Sequence, residues 1–102
     1  MFEELFAEAK TVIDSAGIKI LKAECAPEMA GSWYIIVENN PLLRLFLDRQ
    51  AGWLVLEEEI SGILNGPRVW KDIWIGQNLD SESLGRGIGL LTIKCRGLDA
   101  PG

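Results

Sequence analysis

The sequence predicts a single α+β domain, in which an N-terminal amphipathic helix packs on a mainly antiparallel sheet of four to five strands. Residues 2–16 repeat apolar side chains at helical spacing. Between residues 18 and 76 the pattern changes to short runs rich in Val, Ile, Leu and Trp, punctuated by turn residues. A length of 102 residues supports one core and is too short for two.

The helix is predicted within residues 1–17. Phe2, Leu5, Phe6, Ala9, Val12, Ile13 and Ala16 fall on one stripe, and Glu3, Glu4, Glu8, Lys10 and Asp14 lie off it. Glu3 and Glu4 suit the positive end of the helix dipole, and Gly17 is a natural stop.

The sheet core is predicted within residues 18–76. Ile18 to Cys25 reads as a strand that runs into a polar Pro-Glu-Met-Ala-Gly turn at residues 27–31. Trp33 to Glu38 follows, with Trp33, Ile35 and Val37 on one face and Tyr34, Ile36 and Glu38 on the other. Asn39-Asn40-Pro41 is turn chemistry. Leu42 to Asp48 and Trp53 to Glu59 form a hairpin through the short link Arg49-Gln50-Ala51-Gly52. Ile60 to Pro67, with glycines at 62 and 66, reads as a loop or a broken helical turn. Val69 to Ile75 fits either period, but Gly66-Pro67 before it and Gly76 after it leave little length for a helix, which favours a strand.

Residues 77–102 are expected to be irregular. Asp80-Ser81-Glu82-Ser83 has helix-capping chemistry, yet Gly85, Gly87 and Gly89 would each cost roughly 1 kcal/mol inside a helix. Leu90 to Ile93 could instead form a short strand, and Asp99 to Gly102 is expected to fray.

Composition narrows the function classes. A net charge of −5 and a pI near 4.6 argue against non-specific nucleic-acid binding, which draws on clustered Lys and Arg, and suit a basic partner better. No apolar run approaches the roughly 18 residues of a membrane span, and the acidic, amphipathic start is unlike a signal peptide. A cytoplasmic location follows as the expectation. The absence of histidine removes Ser-His and Cys-His nucleophile pairs and most zinc sites. No metal or other cofactor is expected, and an enzyme is the third reading, since catalysis would rest on carboxylates and no paired-carboxylate motif stands out. Cys25 and Cys95 lack CxxC spacing and read as free, buried small hydrophobes, with a single bridge between them as the alternative in an exported protein.

The docking residues are read from the strands. The central segments carry apolar residues on both faces, whereas a half-solvated antiparallel sheet alternates apolar and polar. A second face therefore needs cover from another part of the chain or from a partner. Glu57-Glu58-Glu59 is the densest charge cluster, with Glu57 and Glu59 on one face and Glu58 opposite. A solvated strand end is the ordinary reading, and an anionic docking patch is the functional one. Of the four tryptophans, Trp33, Trp53, Trp70 and Trp74, at least two belong in a core, and one or two are expected on the second face. Gly85-Arg86-Gly87-Ile88-Gly89 lacks the ending of a phosphate loop. Asp48, Asp72, Glu38, Arg44, Arg49 and Lys71 read as sheet-edge ion-pair residues.

One pattern goes further. Trp33-Tyr34-x-x-Val37-Glu38-Asn39-Asn40-Pro41, then Arg44-Leu45 and Asp48, then Gly52-Trp53-Leu54-Val55, then Val69-Trp70-Lys71-Asp72-Ile73-Trp74-Ile75-Gly76 resembles the small bacterial immunity proteins of contact-dependent-inhibition and polymorphic toxin systems. The resemblance covers about residues 30–78 and is one of tryptophans and turns. It implies a non-enzymatic cytoplasmic inhibitor that binds the C-terminal domain of a cognate toxin, in many such systems a basic nuclease. On that reading Asp48, Glu57, Glu58, Glu59 and Asp72 supply anionic contacts, while Trp53 and Trp70 supply apolar anchors. The alternative is a small-molecule-binding or regulatory homodimer that uses the same uncovered face.

Overall fold

The computed structural model describes residues 2–25, 31–60 and 69–97. Their order is α1 (Phe2–Ser15), β1 (Ile20–Cys25), β2 (Trp33–Val37), β3 (Leu43–Asp48), β4 (Trp53–Glu59), β5 (Trp70–Gly76) and α2 (Ser81–Cys95). The five strands form one antiparallel sheet in the order β1-β2-β3-β4-β5. The class is α+β, with α1 packed on the sheet as the sequence predicts. The loop expected at Ile60 to Pro67, beyond Ile60 itself, lies outside the described residues, as do most of the 27–31 turn and residues 99–102.

The period-2 pattern selects the buried face. Trp33, Ile35 and Val37 of β2, Leu43, Leu45 and Leu47 of β3, and Leu54 and Leu56 of β4 all point inward and are fully buried. Leu5, Ala9 and Ile13 of α1 and Leu84, Ile88 and Leu91 of α2 pack on that same face in one core. Each fully buried aliphatic side chain contributes about 1.5–3 kcal/mol relative to its exposed state. The Phe6 ring meets Trp33 with centroids 5.3 Å apart.

Among the described side chains, one member of the predicted α1 stripe leaves the core. Val12 is 44% exposed and lines the groove beside α2, because the second helix shares the sheet with α1 and draws its buried stripe toward Leu5, Ala9 and Ile13.

The hairpin link is built by Asp48. Its Oδ1 accepts from the Ala51 amide at 3.0 Å, its carbonyl accepts from the Gly52 amide at 2.9 Å, and Gly52 adopts φ +80°. A side chain at position 52 would be strained in that left-handed conformation. In the preceding turn the Asn40–Pro41 peptide is cis, and Asn39 Nδ2 donates to the Pro41 carbonyl at 2.8 Å.

The segment expected to be irregular is instead a 15-residue helix from Ser81 to Cys95. Asp80 caps it with extended backbone, its Oδ1 accepting from the Ser83 amide at 2.8 Å, and Glu82 and Lys94 lie at the ends that the dipole favours. Gly87 is the residue that misleads a propensity sum, since it admits the Trp74 ring against the helix backbone. Packing of Leu84, Ile88 and Leu91 offsets the propensity loss at the glycines. No helix among the described residues is long and apolar enough to cross a membrane.

Candidate functional site

With both helices on one side, no described element covers the other face of the sheet. Register assembles that face in rows. Glu24, Tyr34, Phe46, Val55 and Ile75 form one row across all five strands. Lys22, Ile36, Arg44, Glu57 and Asp72 form the next. Asp48 pairs with Trp53 at one end, and Glu59 pairs with Trp70 at the other.

Arg44 organises the centre. Its Nε donates to Glu57 Oε1 at 2.7 Å, and its guanidinium carbon lies 4.7 Å from the Trp70 ring centroid, 5.4 Å from Phe46 and 5.9 Å from Tyr34. A planar cation among three aromatic faces stiffens all of them. At the β1 edge the Tyr34 hydroxyl donates to Glu24 Oε2 at 2.8 Å. That bond is the main reason the Glu24 carboxyl is held below its ordinary range, and Tyr34 and Glu24 together raise Lys22.

The predicted docking residues divide between the two faces. Asp48, Trp53, Glu57, Glu59, Trp70 and Asp72 occupy the helix-free face. Glu58 points the other way, between Lys71 at 3.5 Å and Lys94 of α2 at 3.6 Å. The three glutamates therefore do not present one anionic patch. Glu57 is buried against Arg44, and Glu58 is held by two lysines, so neither is a solvated carboxylate open to a partner. Asp48 serves the turn with one carboxylate oxygen. Asp72 is exposed, with no ion-pair partner among the described residues.

Trp53, 41% exposed, and Ile75, 44% exposed, are large apolar side chains open on this face. Trp70 is half-buried under Arg44. Trp33 is in the core, and Trp74 packs against it. Ile75, Phe46, Val55 and the organising Arg44 are site residues that sequence reasoning did not assign. Their signal was parity, since each lies an even number of positions from Trp53 or Asp48 on its own strand, or pairs with one that does.

Counting the named residues, the face carries five acids (Glu24, Asp48, Glu57, Glu59, Asp72) and two bases (Lys22, Arg44). It is an apolar, aromatic centre with an acidic excess.

Both cysteines are free thiols, half-buried beside the core, and burial raises the Cys95 thiol above its ordinary range. Among the described residues no group of His, Cys, Asp and Glu is disposed to hold a metal ion.

Comparison of the chain with protein-family models, with curated proteins and with solved structures gives no match.

Proposed function

We propose that this protein is an immunity-type inhibitor: a cytoplasmic binding protein that neutralises a cognate bacterial toxin domain by docking on it through the helix-free face of the sheet, without chemistry of its own. The observation that carries the reading is the uncovered face itself, with Trp53 and Ile75 standing out from an aromatic bed held in place by Arg44 and Glu57. Trp, Tyr and Arg are the residues in which binding energy concentrates at protein interfaces. The acidic excess suits a basic partner, whose approach it would accelerate. Most of the residues that carry the resemblance to immunity proteins lie on β2, β3, β4 and β5, the strands that build most of this face, and the rest lie in the links beside them. In this proposal Trp53 and Ile75 are the anchors, Asp48, Glu59 and Asp72 the acidic rim, and Arg44, Glu57 and Trp70 the rigid floor.

The test is parallel capture on the wild-type protein and on Ile75→Lys and Trp53→Ala variants, followed by co-expression. The expected result is one basic protein retained by the wild type and lost by both variants, which arrests growth when expressed alone and is harmless beside the wild-type protein. A partner that binds the variants equally, or that is not toxic, overturns the proposal.

A further inference from the structure

We infer that Trp53 and Asp48 together receive one arginine side chain of the partner, whose guanidinium stacks on the indole and pairs with the carboxylate. This rests on the toxin-binding reading and names the chemistry of one contact within it. The basis is an arrangement that the sheet already uses once for itself. Toward one end of the helix-free face, the Arg44 guanidinium carbon lies 4.7 Å from the Trp70 ring centroid, while Arg44 Nε donates to Glu57 at 2.7 Å. An indole, a carboxylate and a guanidinium from three adjoining strands make one unit there.

The other end of β4 carries the first two of these groups. Trp53 opens β4 and pairs with Asp48, the last residue of β3. Residues directly opposite on antiparallel strands hold their Cβ atoms about 4.5–5.5 Å apart. The indole is 41% exposed and Asp48 is half-buried. Among the described residues no cation lies over Trp53, and none forms an ion pair with Asp48. Asp48 holds its turn through Oδ1, which accepts from the Ala51 amide, and this leaves Oδ2 for a second donor.

A guanidinium suits both groups better than an ammonium does. It is planar, it stacks on an aromatic face, and it presents its donors to a carboxylate as a fork. Ile75, 44% exposed, and Val55, which it pairs with, offer apolar surface on the same face for the methylenes of an arginine stem. A second copy of this chain docked through the same face would not supply the arginine. Its two bases there are already paired, Lys22 with Glu24 and Arg44 with Glu57. The donor is therefore a different, basic protein.

The probe is N-acetyl-arginine amide, titrated to about 100 mM at constant ionic strength against isotope-labelled protein and followed by NMR. The expected result is a saturable shift of the Trp53 indole N–H, half complete on the order of tens of millimolar, as a single exposed contact allows. The buried Trp33 indole is expected to stay in place. The citrulline analogue, of the same shape without the charge, is expected to move neither. Asp48→Asn keeps an acceptor for the Ala51 amide, so the turn survives, and it is expected to weaken the response at least about threefold. Asp72→Asn, toward the opposite end of the face, is expected to leave it within about twofold.

A Trp53 signal that does not move, or that moves equally with the citrulline analogue, overturns the inference. So does an equal loss in Asp48→Asn and Asp72→Asn, which would mark a response to overall charge. None of these outcomes touches toxin binding, which the Ile75→Lys capture tests. In that capture Asp48→Asn is expected to retain less partner than the wild type. A partner lost on Ile75→Lys but fully held by Asp48→Asn overturns this inference and leaves the toxin reading standing.

Discussion

A Cβ placed on Gly87 of α2 would lie 2.9 Å from Cζ3 of Trp74 on β5, closer than folded proteins tolerate. The indole occupies a slot between two glycines, since a Cβ on Gly76 would meet the same ring at 2.6 Å. Helix and strand approach closely here because neither presents a side chain to the ring. Gly87→Ala is therefore expected to destabilise the fold by about 1–2 kcal/mol despite alanine's higher helix propensity. Gly85→Ala, with open space around the new methyl, is expected to stabilise it by about 0.5–1 kcal/mol. Urea denaturation of the two variants checks the opposite signs.

Arg44 and Glu57 form the ion pair on which the aromatic floor rests. Arg44→Met leaves a buried carboxylate without its partner and is expected to cost about 2–3 kcal/mol. The loss falls short of that for a fully buried pair because the Arg44 side chain keeps 23% of its surface exposed. The double variant Arg44→Met/Glu57→Leu is expected to recover most of it. A double-mutant cycle in urea measures the coupling, and a cycle that sums additively would show that the pair does not act as a unit.

The Tyr34–Glu24 bond gives a pH prediction. Because the folded-state pKa of Glu24 lies below 4.5, its ordinary value, its contribution to stability is present above that pH and is lost as pH falls through the folded value. Tyr34→Phe removes the hydroxyl that donates at 2.8 Å and is expected to return the Glu24 pKa toward 4.5. Side-chain carboxyl NMR titration of the two proteins reads the change directly.

Charge on the two faces separates binding from folding. Asp72 is exposed on the proposed docking face, and Asp72→Lys is expected to slow association with a basic partner by about threefold to tenfold at low salt. Glu58 faces α2 between Lys71 and Lys94, so Glu58→Gln is expected to leave the association rate unchanged. It should lower stability by about 0.5–1 kcal/mol. Stopped-flow association with the captured partner distinguishes the two.

Alkylation reports on the thiols. Nucleophilic attack needs the thiolate, and burial raises the Cys95 pKa above 9.0. Iodoacetamide labelling of Cys95, followed by peptide mass, is expected to be slow at neutral pH and to accelerate as pH rises toward the raised pKa. Ready labelling at neutral pH would show that the thiol is more open than its place beside the core implies.

The strands were legible because short runs rich in Val, Ile, Leu and Trp are bounded by turn residues, such as Asn39-Asn40-Pro41 between β2 and β3. Which face is buried was less so, since Ile36 and Phe46 make the outer face apolar as well, and the alternation shows in burial and not in residue type. Even the Arg44–Glu57 pair was within reach: with Asp48 opposite Trp53 across a four-residue link, antiparallel register places 44 opposite 57. The partner of Glu58 was not, since Lys94 arrives from α2, 36 positions along the chain, and local pattern carries no record of it. α2 itself was obscured because a propensity sum charges Gly87 as a defect, while the Trp74 ring that makes it necessary comes from a separate element. Its clearest local mark was Asp80, whose side chain does cap the helix.

The β1-β2-β3-β4-β5 order has a kinetic consequence. Every strand bonds only to the strand beside it in sequence, so none has to be threaded between two already joined, and each pairing closes a short loop. The sheet can grow one hairpin at a time. Contacts between distant parts of the chain, such as the Ser81 hydroxyl donating to Glu8 at 3.4 Å, connect the first helix to the last. Folding is then expected to proceed as a local zippering of hairpins, with the docking of α1 beside α2 as the late closure that locks the sheet's inner face away from water.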